Sequence, residues 1–203
     1  MAPAQPDAGS APGFRPLDAA RVDGHLPLRS YGALGDGRSV ALSGADGSVD
    51  WWCVPEMDSP PLFDRLLDAE RGGRFSLTPE EAFTAERRYR SNSNVLETVF
   101  STASGRARVT ESMNSGDAGR MPWTELARRI EGLEGSVRFR LEMRPGRRAD
   151  TVNPYQSTIG GHAVFHVGQL LGLFLHGDGV RCRRADEAIV GEVTVSAGER
   201  QVV

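Results

Sequence analysis

The sequence predicts an all-β protein, a large antiparallel β-sandwich with one short helix. Three observations lead there. From Ser136 to Arg144, Val137, Phe139, Leu141 and Met143 alternate with Ser136, Arg138, Arg140, Glu142 and Arg144, which marks a strand with one face on a core and the other in solvent. About ten such short apolar segments recur with turn residues between them, at sandwich spacing. Only one stretch, 62–70, carries helical spacing.

Length and composition fit this class. The 203 residues, 39% hydrophobic and 25% charged, are enough for one sizeable core. All 24 basic residues are arginine and they are scattered, while the formal net charge is -3. Neither feature favours a nucleic-acid partner. No apolar run is long enough to span a bilayer, so no membrane partner is expected.

Taken in order, residues 1–25 are rich in Ala, Pro, Gly and Asp and lack an apolar run; they read as a disordered leader. The folded domain is expected over 26–203. Gly32, Gly35 and Gly37 precede a strand, which suits a tight turn better than a phosphate cradle. Ser39–Ser43, the turn GADG and SVDWWCV form a hairpin, with Asp46-Gly47 supplying the positive-φ position. Pro60-Pro61 followed by Phe63, Leu66 and Leu67 predicts the short helix, stopped by Gly72-Gly73. Asn94–Thr102 and Arg106–Met113 form a second hairpin in which Ala107, Val109 and Met113 share a face that Glu111 interrupts. The segment ELARRIEGL fits a strand, with Gly132 and Gly135 framing a turn into the next. After Pro145 the sequence is loop-like as far as Gly161, and HAVFHV, LLGLFLH, VRCRR and AIVGEVTVS give four more strands. RQVV at the end reads as the opening of another strand, so the sheet is expected to be incomplete and the chain part of something longer.

The densest chemistry lies in Gly47–Asp64, GSVDWWCVPEMDSPPLFD. Adjacent strand residues point to opposite faces, so Trp51 and Trp52 cannot share one core. The prolines keep the segment from continuing as a central strand. Asp50, Trp51, Trp52, Pro55, Glu56, Asp58 and Ser59 are therefore the candidate substrate-facing or domain-facing residues. Hydrolysis of a glycosidic bond needs two flanking carboxyl groups, but Asp58-Ser59-Pro60 reads better as a turn and Asp50 sits in a strand. No residue here is assigned a catalytic role. His162 and His166 are four apart on a strand pattern, which favours a sheet face over a metal site. No metal and no cofactor is called for. The two cysteines, Cys53 and Cys182, form no CxxC motif and suit a reducing, cytoplasmic setting.

Several linked motifs carry a resemblance. YGALGDGRSVALSGADGSVDWWCVPEMDSPPLFDRLLD, GGRFSLTP (Gly72–Pro79), YRSNSNVLETVFSTASGRARVTESM and ARRIEGLEGSVRFRLEMRP occur in this order. Together they resemble the opening of bacterial and archaeal glycoside hydrolase family 15 proteins, the glucoamylase, glucodextranase and trehalase-like enzymes. The resemblance covers Tyr31 to about Pro145 well and the remainder loosely. It implies a super-β-sandwich that precedes a catalytic α/α-barrel, with inverting chemistry carried by two barrel glutamates. Neither glutamate has a counterpart here, so the chain alone is expected to be inactive. Its partner would be that barrel, in cis or in trans, and its ligands α-glucosides. Trp52 stands where the family usually has leucine, and Glu56-Met57 departs from the family pattern. A stand-alone carbohydrate-binding module and a protein that recruits a separate barrel remain the alternative readings.

Overall fold

The computed structural model describes residues 13–114, 123–146, 155–167 and 170–203. Among the described residues, sixteen strands are arranged around one of them, β10, a 19-residue strand from Leu126 to Arg144. Its first half pairs antiparallel with β9 (Gly105–Met113) and with the short β16 (Arg200–Val202). Its second half pairs with β6 (Arg74–Pro79) and β15 (Ala188–Ser196). One strand thus belongs to two layers, and the continuous sheet folds over on itself.

The first layer runs β1 (Arg15–Leu17), β7 (Phe83–Tyr89), β8 (Leu96–Thr102), β9 and the first half of β10. The second runs from the other half of β10 through β6 and β4 (Ser48–Cys53) to β3 (Val40–Gly44) and β2 (Tyr31–Gly35), with β5 (Pro61–Phe63) on β4 and β14 (Val180–Ala185) on β15. A separate three-stranded sheet, β11 (Tyr155–Ile159), β12 (His162–Val167) and β13 (Leu170–Phe174), adds Phe165, Val167 and Phe174 to the same core. Phe174 meets Phe75 edge-on at 6.0 Å.

Two β-bulges decide which side chains enter that core. In β10 the register against β9 slips between Gly132 and Glu134. An extra residue reverses the parity of a strand, so Arg128 and Ile130 point inward before the slip, and Val137, Phe139 and Leu141 after it. Gly132 is required at the bend, because a Cβ there would strike the Ser196 carbonyl. In β4 the register against β3 slips so that Leu42 faces Trp51 and Ser43 faces Val49, leaving Asp50 as the extra residue. Val49 and Trp52 consequently both reach the core.

The face-to-face packing is mostly apolar, interrupted by two arginines and their buried polar partners. Arg128 is fully buried and lies 2.9 Å from Glu111 on the neighbouring strand. Its guanidinium also donates to the Phe75 and Gly47 carbonyls of the opposite layer, at 3.1 and 2.6 Å, and sits 4.8 Å over the Phe75 ring. Ser43 Oγ closes the group by donating to Glu111 at 2.7 Å. From β7, Arg87 donates to the Ser43 and Gly44 carbonyls at 2.8 and 2.7 Å. Burial pulls the pKa of both arginines down, opposed by Glu111.

The sandwich, both hairpins and the four late strands match the sequence reading, and several local expectations do not. Residues 62–70 form no helix. Leu62 and Phe63 belong to β5, where Phe63 pairs with Trp52. The amides of Asp64 and Arg65 go to the Gly73 carbonyl and that of Leu66 to the Asp50 carbonyl, so only turns follow. Gly132 and Gly135 bend one continuous strand and frame no turn. Part of the expected loop after Pro145 is strand β11, and 147–154 lie outside the described residues. The leader expected over 1–25 is corrected in its second part: Arg15–Leu17 pair with β7, and Val22 bridges to His25. Residues 1–12 lie outside the described residues. RQVV pairs with β10, and Val203 and Arg128 exchange both backbone hydrogen bonds.

Replacing Arg128 by methionine leaves the Glu111 carboxyl buried without its guanidinium partner. We expect a loss of about 3–5 kcal/mol in urea unfolding, largely recovered in the Arg128→Met/Glu111→Leu double variant. A single variant as stable as the parent would contradict the interlayer role.

Candidate functional site

The stretch Asp50–Ser59 starts as the inner end of β4 and finishes as a surface turn, so its residues separate. Asp50, the bulge residue, is fully buried. Its Oδ2 accepts from Arg21 Nη2 and the Tyr31 hydroxyl, each at 2.7 Å, and its Oδ1 faces Arg65 Nη1 at 3.7 Å. Arg21 reaches on to Asp46 at 2.8 Å and Ser48 Oγ at 2.6 Å, which fastens residues 18–25 to the domain. Burial opposes the charge on Arg21, but Asp46 and Asp50 outweigh it and raise its pKa. Burial and then Asp50 push the Tyr31 hydroxyl up as well. Trp52 is a core residue packed on Phe63 at 5.9 Å, while Trp51 is half-buried on the other side.

Past Cys53 the chain turns outward. The Cys53 thiol is raised by burial and then by the charge of Asp58. Pro55, Glu56, Met57 and Asp58 are exposed and Ser59 is half-buried. Ser59 closes the turn: its amide donates to the Glu56 carbonyl and its Oγ accepts from the Glu56 amide, both at 3.1 Å. The geometry sets Glu56 and Asp58 beside the exposed Met57.

Arg38, which sequence reasoning did not single out, ties this turn to its surroundings. Its carbonyl accepts the Met57 amide at 2.9 Å. Its guanidinium donates to the Trp123 carbonyl at 3.2 Å and to Thr124 Oγ1 at 3.3 Å. Asp36 Oδ1 fixes the Arg38 and Ser39 amides at 2.9 and 2.8 Å, and Ser39 Oγ donates to the Cys53 carbonyl. The result is a rim that joins the turn after β2, the turn after β4 and the start of β10. Trp123 stands on it 57% exposed, its indole N–H 3.5 Å from Glu125. The signal that could have found Trp123 is a tryptophan placed before β10 outside any alternating pattern.

Two other clusters complete the chemistry. On the outer face of the first layer, Glu97 takes Arg88 and Arg90 at 2.8 and 2.9 Å, and Arg108 bridges to Glu131, which also takes Arg200 at 2.8 Å. Hydrogen bonds from Arg108 and Arg200 hold the Glu131 carboxyl down at about 2. Between β12, β13, β14 and β15 lies a cleft lined by His162, His176, Cys182 and Arg184. His166 does not join His162 in a shared site, because its Nε2 is hydrogen-bonded to Ser157 at 2.8 Å. Among the described residues, no three His, Cys, Asp or Glu side chains are placed to hold a metal. No helix among them is long and apolar enough to cross a membrane.

Comparison with known proteins gives a consistent picture. Residues 23–151 match the family model described as trehalase-like, N-terminal. The trehalase of Thermoplasma volcanium is 27% identical over 128 residues, covering 61% of this chain and 20% of that protein. The trehalase of Mycolicibacterium smegmatis is 38% identical over 102 residues, covering 49% and 14%. Trehalase 2 of Sulfolobus acidocaldarius is 38% identical over 71 residues, covering 35% and 12%. The chain thus spans a fifth or less of the length of these curated relatives. No solved structure matches it.

The Glu131 ladder gives a pH dependence of defined sign. An unfolded glutamate titrates at about 4.3, so a folded pKa near 2 stabilises the protein above the unfolded value, and that contribution disappears as pH falls through the folded one. The stability gap between the parent and Glu131→Gln is expected to be full near neutral pH and to close in acid. Denaturant unfolding across that range checks it, and a gap independent of pH would contradict it.

Proposed function

Because the chain belongs to the trehalase-like N-terminal family, we propose that it is the non-catalytic sandwich domain of a family 15 glycoside hydrolase acting on α-glucosides such as trehalose. It supports a catalytic α/α-barrel, and its rim, the exposed Pro55, Glu56 and Asp58 with the half-buried Ser59, faces that barrel and the edge of its active site. Asp50, Trp51 and Trp52 hold the rim from beneath. The observation that carries the reading is the family match over 23–151 combined with relatives named trehalases that are at least about five times longer than the shared stretch.

The chemistry of the rim supports a non-catalytic role. Glycoside hydrolysis needs one carboxyl that donates a proton and one ionised carboxylate across the scissile bond. Asp50 is occupied by Arg21, Tyr31 and Arg65, and Glu56 and Asp58 lie together on one exposed turn. The free thiols Cys53 and Cys182 suit a reducing cytoplasm.

The test is a glucose-release assay on the 203-residue chain with trehalose, maltose and isomaltose, paired with sequencing of the native message through the Val203 codon. We expect no glucose above the buffer rate, and a frame that runs on into alternating helices with paired glutamates. Glucose release by the chain alone would overturn the non-catalytic assignment. A stop codon directly after Val203 would overturn the barrel in cis and favour a free-standing binding module.

A further inference from the structure

We propose that Trp123, with Arg38 and Glu125 at its edge and the Glu56–Asp58 turn tied to it through Arg38, is a binding subsite for one glucosyl ring of an α-linked disaccharide. This deepens the α-glucoside reading above and rests on it.

The three tryptophans have different environments. Trp52 is committed to the core, Trp51 is half-buried, and Trp123 leaves more than half of its surface in solvent. A pyranose presents an apolar face of C–H groups and a rim of hydroxyls. It therefore fits a flat aromatic surface bordered by hydrogen-bonding groups of both kinds. The Trp123 surroundings supply that combination. Glu125 lies at the indole N–H edge and offers carboxylate acceptors. The Arg38 guanidinium lies against the Trp123 carbonyl and Thr124 and offers donors. Glu56 and Asp58 add acceptors on the turn that the Arg38 carbonyl holds.

The subsite is also held in place. Arg38 bonds to Trp123 and Thr124 through its side chain and to Met57 through its carbonyl, and Asp36 fixes its amide. One anchored residue thus sets the distance between the aromatic platform and the acidic turn. Pre-set spacing of this kind lowers the ordering cost of binding a small polar ligand.

The experiment is an NMR titration of the full ¹⁵N-labelled chain, reading the indole N–H signals with Trp123 identified through the Trp123→Phe variant. The probes are trehalose, maltose and isomaltose, with cellobiose as the β-linked control. We expect the Trp123 indole to shift saturably with at least one α-linked sugar while the Trp52 indole stays fixed. Trp123→Ala should abolish the sugar-induced shifts of the backbone amides around residues 124–126 with circular dichroism unchanged, and Arg38→Ala should weaken binding about three- to tenfold. No saturable shift with any α-linked sugar, a response that survives Trp123→Ala, or an equal response to cellobiose would each overturn the subsite. None of these outcomes touches the non-catalytic reading, which the glucose-release assay decides separately.

Discussion

The fold depends on a buried guanidinium. Arg128 enters the interior from the first half of β10, meets Glu111 within its own layer, and donates through Nη1 and Nη2 to the Phe75 and Gly47 carbonyls of the layer opposite. Taking such a pair out of water is expensive, and a well-packed apolar replacement is often no less stable. What apolar contacts cannot supply is direction. A guanidinium that must meet two particular carbonyls fixes the lateral position of one sheet over the other. Arg87 repeats the device from β7, clamping Ser43 and Gly44. Both arginines act on the β3–β4 hairpin, which carries the Trp51–Ser59 stretch, so polar pinning inside the sandwich and the placement of the outer rim are one problem.

The bulges at Asp50 and Leu133 solve the complementary problem of parity. A straight β10 that buries Ile130 would turn Val137, Phe139 and Leu141 to solvent, and a straight β4 that buries Val49 would expel Trp52. One extra residue in each strand reconciles both halves with one core. The bulge in β4 has a second effect, since the displaced residue is Asp50, whose carboxylate then gathers Arg21, Tyr31 and Arg65. Gly47 in the preceding turn, at φ 85, leaves no room for a Cβ, which would strike the Leu77 carbonyl.

Periodicity made most of the sandwich legible. Strands with one wet face announce themselves, and the hairpins at Asp46-Gly47 and Ala103–Gly105 follow from turn chemistry. Where the sequence misled, a distant partner overrode a local preference. Phe63, Leu66 and Leu67 have helical spacing, but pairing of Phe63 with Trp52 removes the start of any helix. Residues 13–25 look like a polar leader because Arg21 finds Asp46 and Asp50 only in three dimensions. Arg128 occupies an inward position in a segment whose apolar residues fit a strand, and no local rule distinguishes a solvated arginine from a buried one. The candidate site was legible as a segment but not as a surface. Adjacency grouped Asp50 with Ser59, whereas the fold puts Asp50 and Trp52 inside, Pro55 to Asp58 outside, and brings in Arg38 and Trp123 from elsewhere in the chain.

Native-state hydrogen exchange, read amide by amide in rising denaturant, tests most directly whether the two layers are one unit locked by Arg128 and Arg87. The account predicts that the central amides of β9 in one layer and β6 in the other exchange through the same global opening, with equal free energies. A β6 that exchanged through a separate and much cheaper opening while β9 stayed protected would mean that the layers are held independently, and would contradict it.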